Sequence, residues 1–446
     1  MPVKFSKFTI SKMNIMKARG ILLSCISVLM ISTMEVDGTD TTKVSAKRLQ
    51  PDTDNGGLKL QAGFGAITVV DSLARNRHLV VNSNGDIYVK LARLKDGKGI
   101  LILRESANGK ANIIKSFGNY GGTGIAIKNG YLYASSDSTV YRYKLNENGD
   151  VVSPDAPETI VKGLVAGRAH QTKSIALDNS GNIYVNIGAP SNSCQVEDRG
   201  KGSKGKDPCP ILDSAGGIWQ FKIDKLNQSY AQGIRYATGT RNIVGLDWNN
   251  TVNELYALQH GRDNFYQNWP ELYDSVESAE LPAEEFLQIK KGSNFGWPYC
   301  YFDQFQKKKV LAPEYGGNKT TQGRCEGMDI PIIGFPGHWA PNALMFYTGT
   351  MFPEKYRNGA FIAFHGSWNR APLKQKGYQV IFVPMKDGKP NGDWEIFADG
   401  FMGAPEISAP RDAQYRPCGL AQGKDGSLYI SDSVKGKIWK IIYTGK

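Results

Sequence analysis

Several common catalytic signatures are missing from this chain of 446 residues. No serine sits in a nucleophile-elbow turn, and no glycine-rich phosphate or dinucleotide fingerprint falls at a strand-to-helix junction. Elbow-type serine hydrolases, P-loop nucleotidases and Rossmann dehydrogenases are therefore set aside. Cysteine is sparse, at six residues. None lies in a Cys-x-x-Cys-His haem-attachment run, and no Cys/His cluster has zinc spacing. Helical periodicity is nearly absent, the short stretch Ala283–Ile289 excepted. Long apolar runs are lacking as well. Ile21–Ile31 holds about ten apolar residues, against the roughly 20 that a membrane-spanning helix needs. It follows Lys4, Lys7, Lys12, Lys17 and Arg19, and a basic stretch before a short apolar one reads as an export signal, here over residues 1–38. An uncleaved anchor is the competing reading. The expected mature chain is periplasmic or secreted, with no membrane span.

Export permits disulfides. Cys194 with Cys209 and Cys300 with Cys325 each close a short loop, which leaves Cys418 unpaired and buried. The net charge of +12 is partly held by the run Arg199–Lys206, inside the first of these loops. No aromatic residue interleaves that run, so a stacking platform for bases is missing and nucleic acid is not an expected partner. The run reads instead as a solvated flexible loop. Residues 39–57 are polar and read as a flexible linker.

What is abundant is glycine, at 50 residues, and aromatic residues at 11%. They are arranged in a repeat: an apolar strand, Asn-Gly or Asp-Gly, then a small apolar pair that ends in an aromatic. Copies run from His78 to Tyr88, Ile125 to Tyr133, Ile175 to Tyr184, Leu246 to Tyr256 and Leu420 to Tyr429, and a degenerate sixth spans Ala343–Ala363. Asn-Gly or Asp-Gly between apolar residues marks a tight hairpin, because both central positions take positive φ. The first tyrosines are about 45, 51 and 72 residues apart. Hairpin repeats at such periods predict an all-β fold, a six-bladed β-propeller over residues 58–446. The apolar strand Gly63–Val70 is predicted to join Lys437–Tyr443 in one blade and so close the ring.

Polar groups recur at the ends of these strands, where a propeller gathers them around its channel. They are Arg77-His78, His170-Gln171, Arg241-Asn242, His260-Gly261-Arg262, His365 to Arg370 and Tyr415-Arg416. A mouth lined with arginine and histidine suits an anionic ligand.

The motifs around these groups resemble the soluble pyrroloquinoline quinone (PQQ)-dependent sugar dehydrogenases of the glucose/sorbosone type. Gly167–Gly188 is similar to the stretch that carries their catalytic histidine. Gly239–Leu246 (GTRNIVGL) is similar to their Arg-Asn-Pro-x-Gly-Leu motif, and Gly292–Pro298 to their Gly-x-Asn-Tyr-Gly-Trp-Pro. Gln259–Asp263 falls where they hold calcium, and His365–Arg370 and Gly377–Pro384 resemble the sorbosone branch. The resemblance implies oxidation of a sugar at its anomeric or aldehyde carbon, with hydride passing to PQQ and on to an external electron acceptor. By that resemblance His170 is the general base. His78, Arg241, Asn242, Trp339, Arg370 and Arg416 contact the cofactor, with the arginines clamping its carboxylates. Gly261, Arg262 and Asp263 hold calcium. Two acids that flank and orient the histidine in the glucose-oxidising branch are replaced here by Ala169 and Ala189, and a proline of its calcium loop by Arg262. A metal-dependent lactone hydrolase and a non-catalytic carbohydrate-binding propeller are the competing functions.

Overall fold

The computed structural model describes residues 49–445. The expected export signal and the first part of the expected linker lie outside the described residues. The part of the linker that is described is packed. Asp52 accepts the backbone N–H of Thr68, and Trp439 donates from Nε1 to the carbonyl of Gly56.

Six sheets of at least four antiparallel strands form the blades. Blade 1 holds Asn76–Val81, Ile87–Lys95, Lys98–Glu105 and Ala111–Phe117. Blade 2 holds Ile125–Lys128, Tyr131–Ser135, Val140–Lys144 and Glu158–Val161. Blade 3 holds Ile175–Leu177, Asn182–Ile187, Gly217–Lys222 and Ile234–Thr238, and blade 4 Ile243–Asn249, Glu254–Gln259, Glu284–Ile289 and Ile333–Phe335. Blade 5 holds Pro341–Phe346, Ala360–Phe364, Gln379–Val383 and Glu395–Asp399. Blade 6 combines Pro417–Gln422, Leu428–Asp432 and Ile438–Tyr443 with Phe64–Val70 from the other end of the chain. That pairing closes the ring as the sequence predicts and covers what would be a free sheet edge.

The first strand of each blade faces the central channel. Consecutive inner strands touch in the order of the blades, and the last touches the first. Residues from all six line a cavity of about 320 Å³ whose wall is mainly aliphatic. The turn between Ile125–Lys128 and Tyr131–Ser135 illustrates how the hairpins form. Asn129 and Gly130 have φ of 50° and 75°, the left-handed pair that a two-residue hairpin requires.

The repeated aromatic at the second strand is the seam between blades. Tyr88, Tyr133, Tyr184, Tyr256 and Tyr429 are all buried. The Tyr88 hydroxyl donates to the carbonyl of Gly149 in blade 2, that of Tyr256 to Gly388 in blade 5, and that of Tyr429 to Glu105 in blade 1. Each of these three rings thus supplies apolar area to its own sheet and a polar tip to a neighbouring blade, while the Tyr184 hydroxyl stays within its blade, donating to Asp178.

Ala283–Ile289 corrects the one helical expectation. Glu284–Ile289 is the third strand of blade 4, buried on nearly every residue. A strand buried on both faces has no alternation, and over six residues it cannot be told from a helix by period. Helix forms just before it, at Ser275–Glu280, where Asp274 caps the N–H groups of Val276 and Glu277. Among the described residues no helix is long and apolar enough to cross a membrane.

Both predicted disulfides, Cys194–Cys209 and Cys300–Cys325, are present, and Cys418 is free and buried. The loop inside the first is not free, contrary to its reading as solvated and flexible. The amides of Gly202 and Gly205 donate to the carbonyls of Asn268 and Glu314, and Asn268 donates from its side chain to the carbonyl of Arg199.

Tyr347, after the inner strand of blade 5, tests the seam. Its hydroxyl donates to Gly426 of blade 6 and accepts from the amide of Phe352. Tyr347→Phe orphans both groups, at a cost of about 1–3 kcal/mol. Urea unfolding of the variant is expected to have a lower midpoint with the slope unchanged.

Candidate active site

On one face of the ring, loops from blades 3, 4 and 5 enclose a pocket of about 180 Å³. Its wall includes His170, Arg199, Arg241, Asn242, Asp263 and Trp368. Arg241 and Asn242 lie between the last strand of blade 3 and the first of blade 4. His170 lies on the loop that enters blade 3. Arg199 comes from the disulfide-closed loop, and Trp368 from the loop that follows the second strand of blade 5.

His170 is fixed at one nitrogen. Its Nδ1 lies 2.6 Å from the carbonyl of Ala189, so the neutral ring donates there and keeps Nε2 as its acceptor. Gly188 permits this approach, since a Cβ there would come within 2.5 Å of the His170 carbonyl oxygen. Burial, then the Arg241 cation, push the His170 pKa down to about 3, so the ring is neutral at neutral pH. His170 has φ of 52°, and His338 and Ala340 on the same wall have 65° and 59°. Left-handed residues other than glycine cost about 1–3 kcal/mol each and gather where function requires a fixed geometry.

Arg241 and Asp263 form the buried centre. Nη2 of Arg241 is 2.7 Å from Oδ2 of Asp263 and 3.0 Å from Oδ1 of Asn192, while Nε reaches the Asn192 carbonyl and Nη1 the Gly261 carbonyl. Arg199 adds a second guanidinium, 3.0 Å from Oδ2 of Asp263. Burial alone raises the Asp263 pKa, but Arg241, His338 and Arg199 overcome it and hold the carboxyl well below its ordinary range. Glu284, nearby, shifts the other way. Burial raises its pKa to about 8, although the amides of Gly261 and Ala340 donate to its two oxygens.

Of the residues expected at the site, the pocket brings together His170, Arg241, Asn242, Gly261 and Asp263. Five others lie elsewhere. His78 is on the channel wall, with Nε2 held by the carbonyl of Asn342 across the ring. Trp339 is half-buried and packs edge-on against Phe364 and Trp394, beside a core cluster, and is not among the residues that line the pocket. Arg370 spends its guanidinium on the carbonyls of Ala279 and Gly337 and on Glu280. Arg416 donates to the carbonyls of His365 and Gly366. These two arginines pin the loop that carries Trp368. The Arg262 side chain turns away beneath the pocket, pairs with Glu314 and lies over Phe265. Arg241 itself is largely committed to Asp263, Asn192 and Gly261, which leaves one N–H rather than a bidentate fork.

Three pocket residues were not anticipated: Arg199, Glu284 and Trp368. Arg199 sat in a run read as solvent, and Glu284 in the stretch read as helix. Trp368 belongs to the His365–Arg370 motif and is 53% exposed, the flat surface that Trp339 was expected to supply.

A six-bladed propeller with a cationic, histidine-bearing pocket on its loop face is the architecture of a small-ligand enzyme or binder. The family model described as TrAA12-like matches residues 58–444, and the chain belongs to that family. A PQQ-dependent sugar dehydrogenase of Hypocrea jecorina is 23% identical over 401 residues, 82% of this chain and 85% of the relative. An uncharacterised protein of Borreliella burgdorferi is 31% identical over 211 residues, 46% of this chain and 48% of that one, so the match spans about half of that relative. Among solved structures, the calcium structure of a Trichoderma reesei carbohydrate-active enzyme of family AA12 superposes with a TM-score of 0.70 at 20% identity, covering 87% of this chain and 97% of that one. It shares the fold.

The buried titratable groups set a pH dependence. Burial lowers His78 and His170 to about 4 and about 3 and His365 well below the ordinary 6.5. Below about pH 6 the unfolded chain therefore binds more protons at these three, and stability is lost as pH falls. Burial raises Asp247 and Glu284 to about 7 and about 8, so the folded chain keeps protons there, and stability is lost as pH rises toward 8. In protein freed of divalent ions, the urea midpoint is expected to peak near pH 6.5–7 and to fall on both sides. A midpoint that climbs steadily from pH 7 to pH 5 contradicts the neutral burial of these histidines.

Proposed function

We propose that this chain is an exported, PQQ- and calcium-dependent dehydrogenase. It oxidises the anomeric or aldehyde carbon of a sugar, in the manner of aldose or sorbosone dehydrogenases, and delivers the electrons to an external acceptor. The observation that carries the reading is His170. Its Nδ1 is anchored and its Nε2 is left as acceptor in a pocket that also holds two guanidinium groups and the half-exposed Trp368.

The residues present fit the cofactor. PQQ is flat and carries carboxylates. Arg199 and Arg241 offer positive charge, Trp368 an aromatic face, and Asn242 a buried Oδ1 with no partner, ready to accept an N–H. Calcium takes oxygen ligands; the wall offers Oδ1 of Asp263 and the Glu284 carboxyl, while the Gly261 carbonyl and Oδ2 of Asp263 already accept from Arg241 and Arg199. When bound, PQQ supplies a two-electron, hydride-accepting quinone, and calcium polarises it as a Lewis acid.

The chain's own work is to bind, orient and move one proton. His170 takes the proton of the sugar hydroxyl at Nε2, and the imidazolium that results is steadied by the Ala189 carbonyl and the negative charge of Asp263. The carbonyl of Ala189 thus orients the base where the glucose-oxidising branch uses an acid, which removes the main argument for a non-catalytic propeller. A lactone hydrolase of the central-ion type wants several carboxylates around one divalent ion. The wall of this pocket carries two carboxylates, Asp263 and Glu284, with the guanidinium groups of Arg199 and Arg241 beside Asp263.

Reconstitution tests the proposal. Purified protein is loaded with PQQ and calcium and screened against sugars with an artificial acceptor. His170→Ala is expected to lower turnover by about 10²–10⁴-fold while PQQ titrates as in the parent. Wild-type protein that binds no PQQ in the presence of calcium defeats the reading. Normal turnover by His170→Ala leaves the enzyme class standing and assigns the base elsewhere.

A further inference from the structure

Blades 1 and 2 enclose a further cavity that the proposed function leaves unused. Its volume of about 180 Å³ matches that of the pocket at His170, and the two have no wall residue in common. The floor is aromatic. Tyr141 and Tyr143 stand two apart on the third strand of blade 2 and so point to one face, toward blade 1. Tyr120 meets them from the loop that enters blade 2, and Pro154 and Pro157 complete the apolar wall.

These rings are fixed by the chain itself. The hydroxyls of Tyr120 and Tyr143 share a hydrogen bond of 2.9 Å, and Phe117 packs edge-on against Tyr143. Lys90 donates to the Tyr120 carbonyl at 2.6 Å and lies 4.2 Å over its ring. Gly99 leaves room for that carbonyl, since a Cβ there would come within 1.9 Å of its oxygen. Tyr141 lies 4.6 Å from Tyr120, tilted by 36°. It is half-buried, and among the described residues its hydroxyl has no hydrogen-bond partner. A floor ordered in advance binds a ligand at little cost in side-chain freedom.

The mouth is polar. Lys98 of blade 1 and Asp155, on the loop before the last strand of blade 2, face each other at 3.8 Å, too far for a hydrogen bond. Asn119 lines the same cavity and is exposed. Among the described residues neither its side chain nor the Asp155 carboxylate makes a hydrogen bond. An ammonium, an amide and a carboxylate thus offer donors and acceptors around an apolar floor. A sugar ring has the same division, with C–H groups across its face and hydroxyls around its edge that both donate and accept. A proline-rich peptide also suits an aromatic groove, but its carbonyls only accept and leave Asp155 unanswered.

We propose that this cavity is a non-catalytic saccharide site, which stacks one neutral pyranose ring on Tyr141 and holds its hydroxyls with Lys98, Asn119 and Asp155. The site is separate from the His170 pocket and does not rest on the dehydrogenase reading.

Methyl β-glucoside is the probe, because its anomeric carbon is an acetal with no hydroxyl to give up a proton. Saturation-transfer NMR is recorded on the purified protein, with and without PQQ and calcium. Transfer to the ring protons is expected in both states. Tyr141→Ala is expected to raise the dissociation constant about 5–10-fold, the range of one lost aromatic contact, and His170→Ala to leave it unchanged. No transfer in the wild type, undiminished binding in Tyr141→Ala, or binding that falls in His170→Ala alone overturns the proposal. So does a proline-rich peptide that binds where the glucoside does not. If Tyr141→Ala does not fold, the combined exposed changes Asn119→Ala and Asp155→Ala take its place; weaker binding is expected, and unchanged binding overturns the proposal. If the loaded protein oxidises no sugar while glucoside binding still depends on Tyr141, the dehydrogenase reading fails and this site stands.

Discussion

The buried pair of Arg241 and Asp263 is the constraint on which the rest of the pocket depends. Both side chains are almost wholly buried, so neither charge can be left alone, and removing one partner of such a pair typically costs about 3–5 kcal/mol. The pair is not self-sufficient. Asn192 accepts two of the other donors of Arg241 and also holds the backbone of Asp263 on both sides, its Oδ1 accepting from the Asp263 amide and its Nδ2 donating to the Asp263 carbonyl. Asn192 belongs to the segment just before Cys194, so the disulfide loop is tied into the centre of the site. The carbonyl of Asn192 accepts from Trp297 as well, which brings in the glycine-rich stretch between the third and fourth strands of blade 4. One ion pair therefore fixes the relative placement of loops from blades 3 and 4. It also sets the field in which His170 stays neutral.

A propeller suits this arrangement because its blades and its loops have separate tasks. The tyrosine seams join neighbouring sheets at the second strand, and the strand Phe64–Val70 locks the last blade. The loops are then free to carry polar groups whose satisfaction comes mostly from other loops. Arg370 and Arg416 illustrate it. Each acts as a staple, donating to carbonyls that the sheet ladders leave unpaired. Their effect on the pocket passes through Trp368, whose loop they hold from both ends.

How much of this was legible in the sequence follows from where each signal resides. The blades could be read because each carries its own turn chemistry and its own buried aromatic, both local. Closure of the ring could be read because both strands are apolar and lie near the ends of the propeller. The pocket was legible at His170, Arg241-Asn242, Gly261 and Asp263, where family motifs preserve local order. It failed for arginines and tryptophans. Arg370 meets carbonyls 91 and 33 residues away, and nothing near it in the chain tells a staple from a clamp. Trp339 and Trp368 are both flanked by histidine and glycine, yet one is wedged between Phe364 and Trp394 and the other is open. Packing partners decide such cases, and they are not written in the neighbouring residues. The Glu284 strand was misread for a related reason: burial on both faces removes the alternation by which a strand is recognised.

The absent acids at positions 169 and 189 show most directly how side-chain patterns mislead. Judged by side chains, His170 has lost its partner. Judged by backbone, it has one, because the carbonyl of Ala189 performs the two tasks an acid would: it selects the tautomer and it favours the protonated ring. A carbonyl is a weaker stabiliser than a carboxylate, and burial, then Arg241, oppose protonation of His170. The balance changes with what enters. An anionic ligand beside Arg199 and Arg241 offsets their field and raises the affinity of Nε2 for a proton. In the role proposed for His170, its basicity would therefore be coupled to the anion bound beside it, a coupling that a permanent carboxylate at position 189 would weaken.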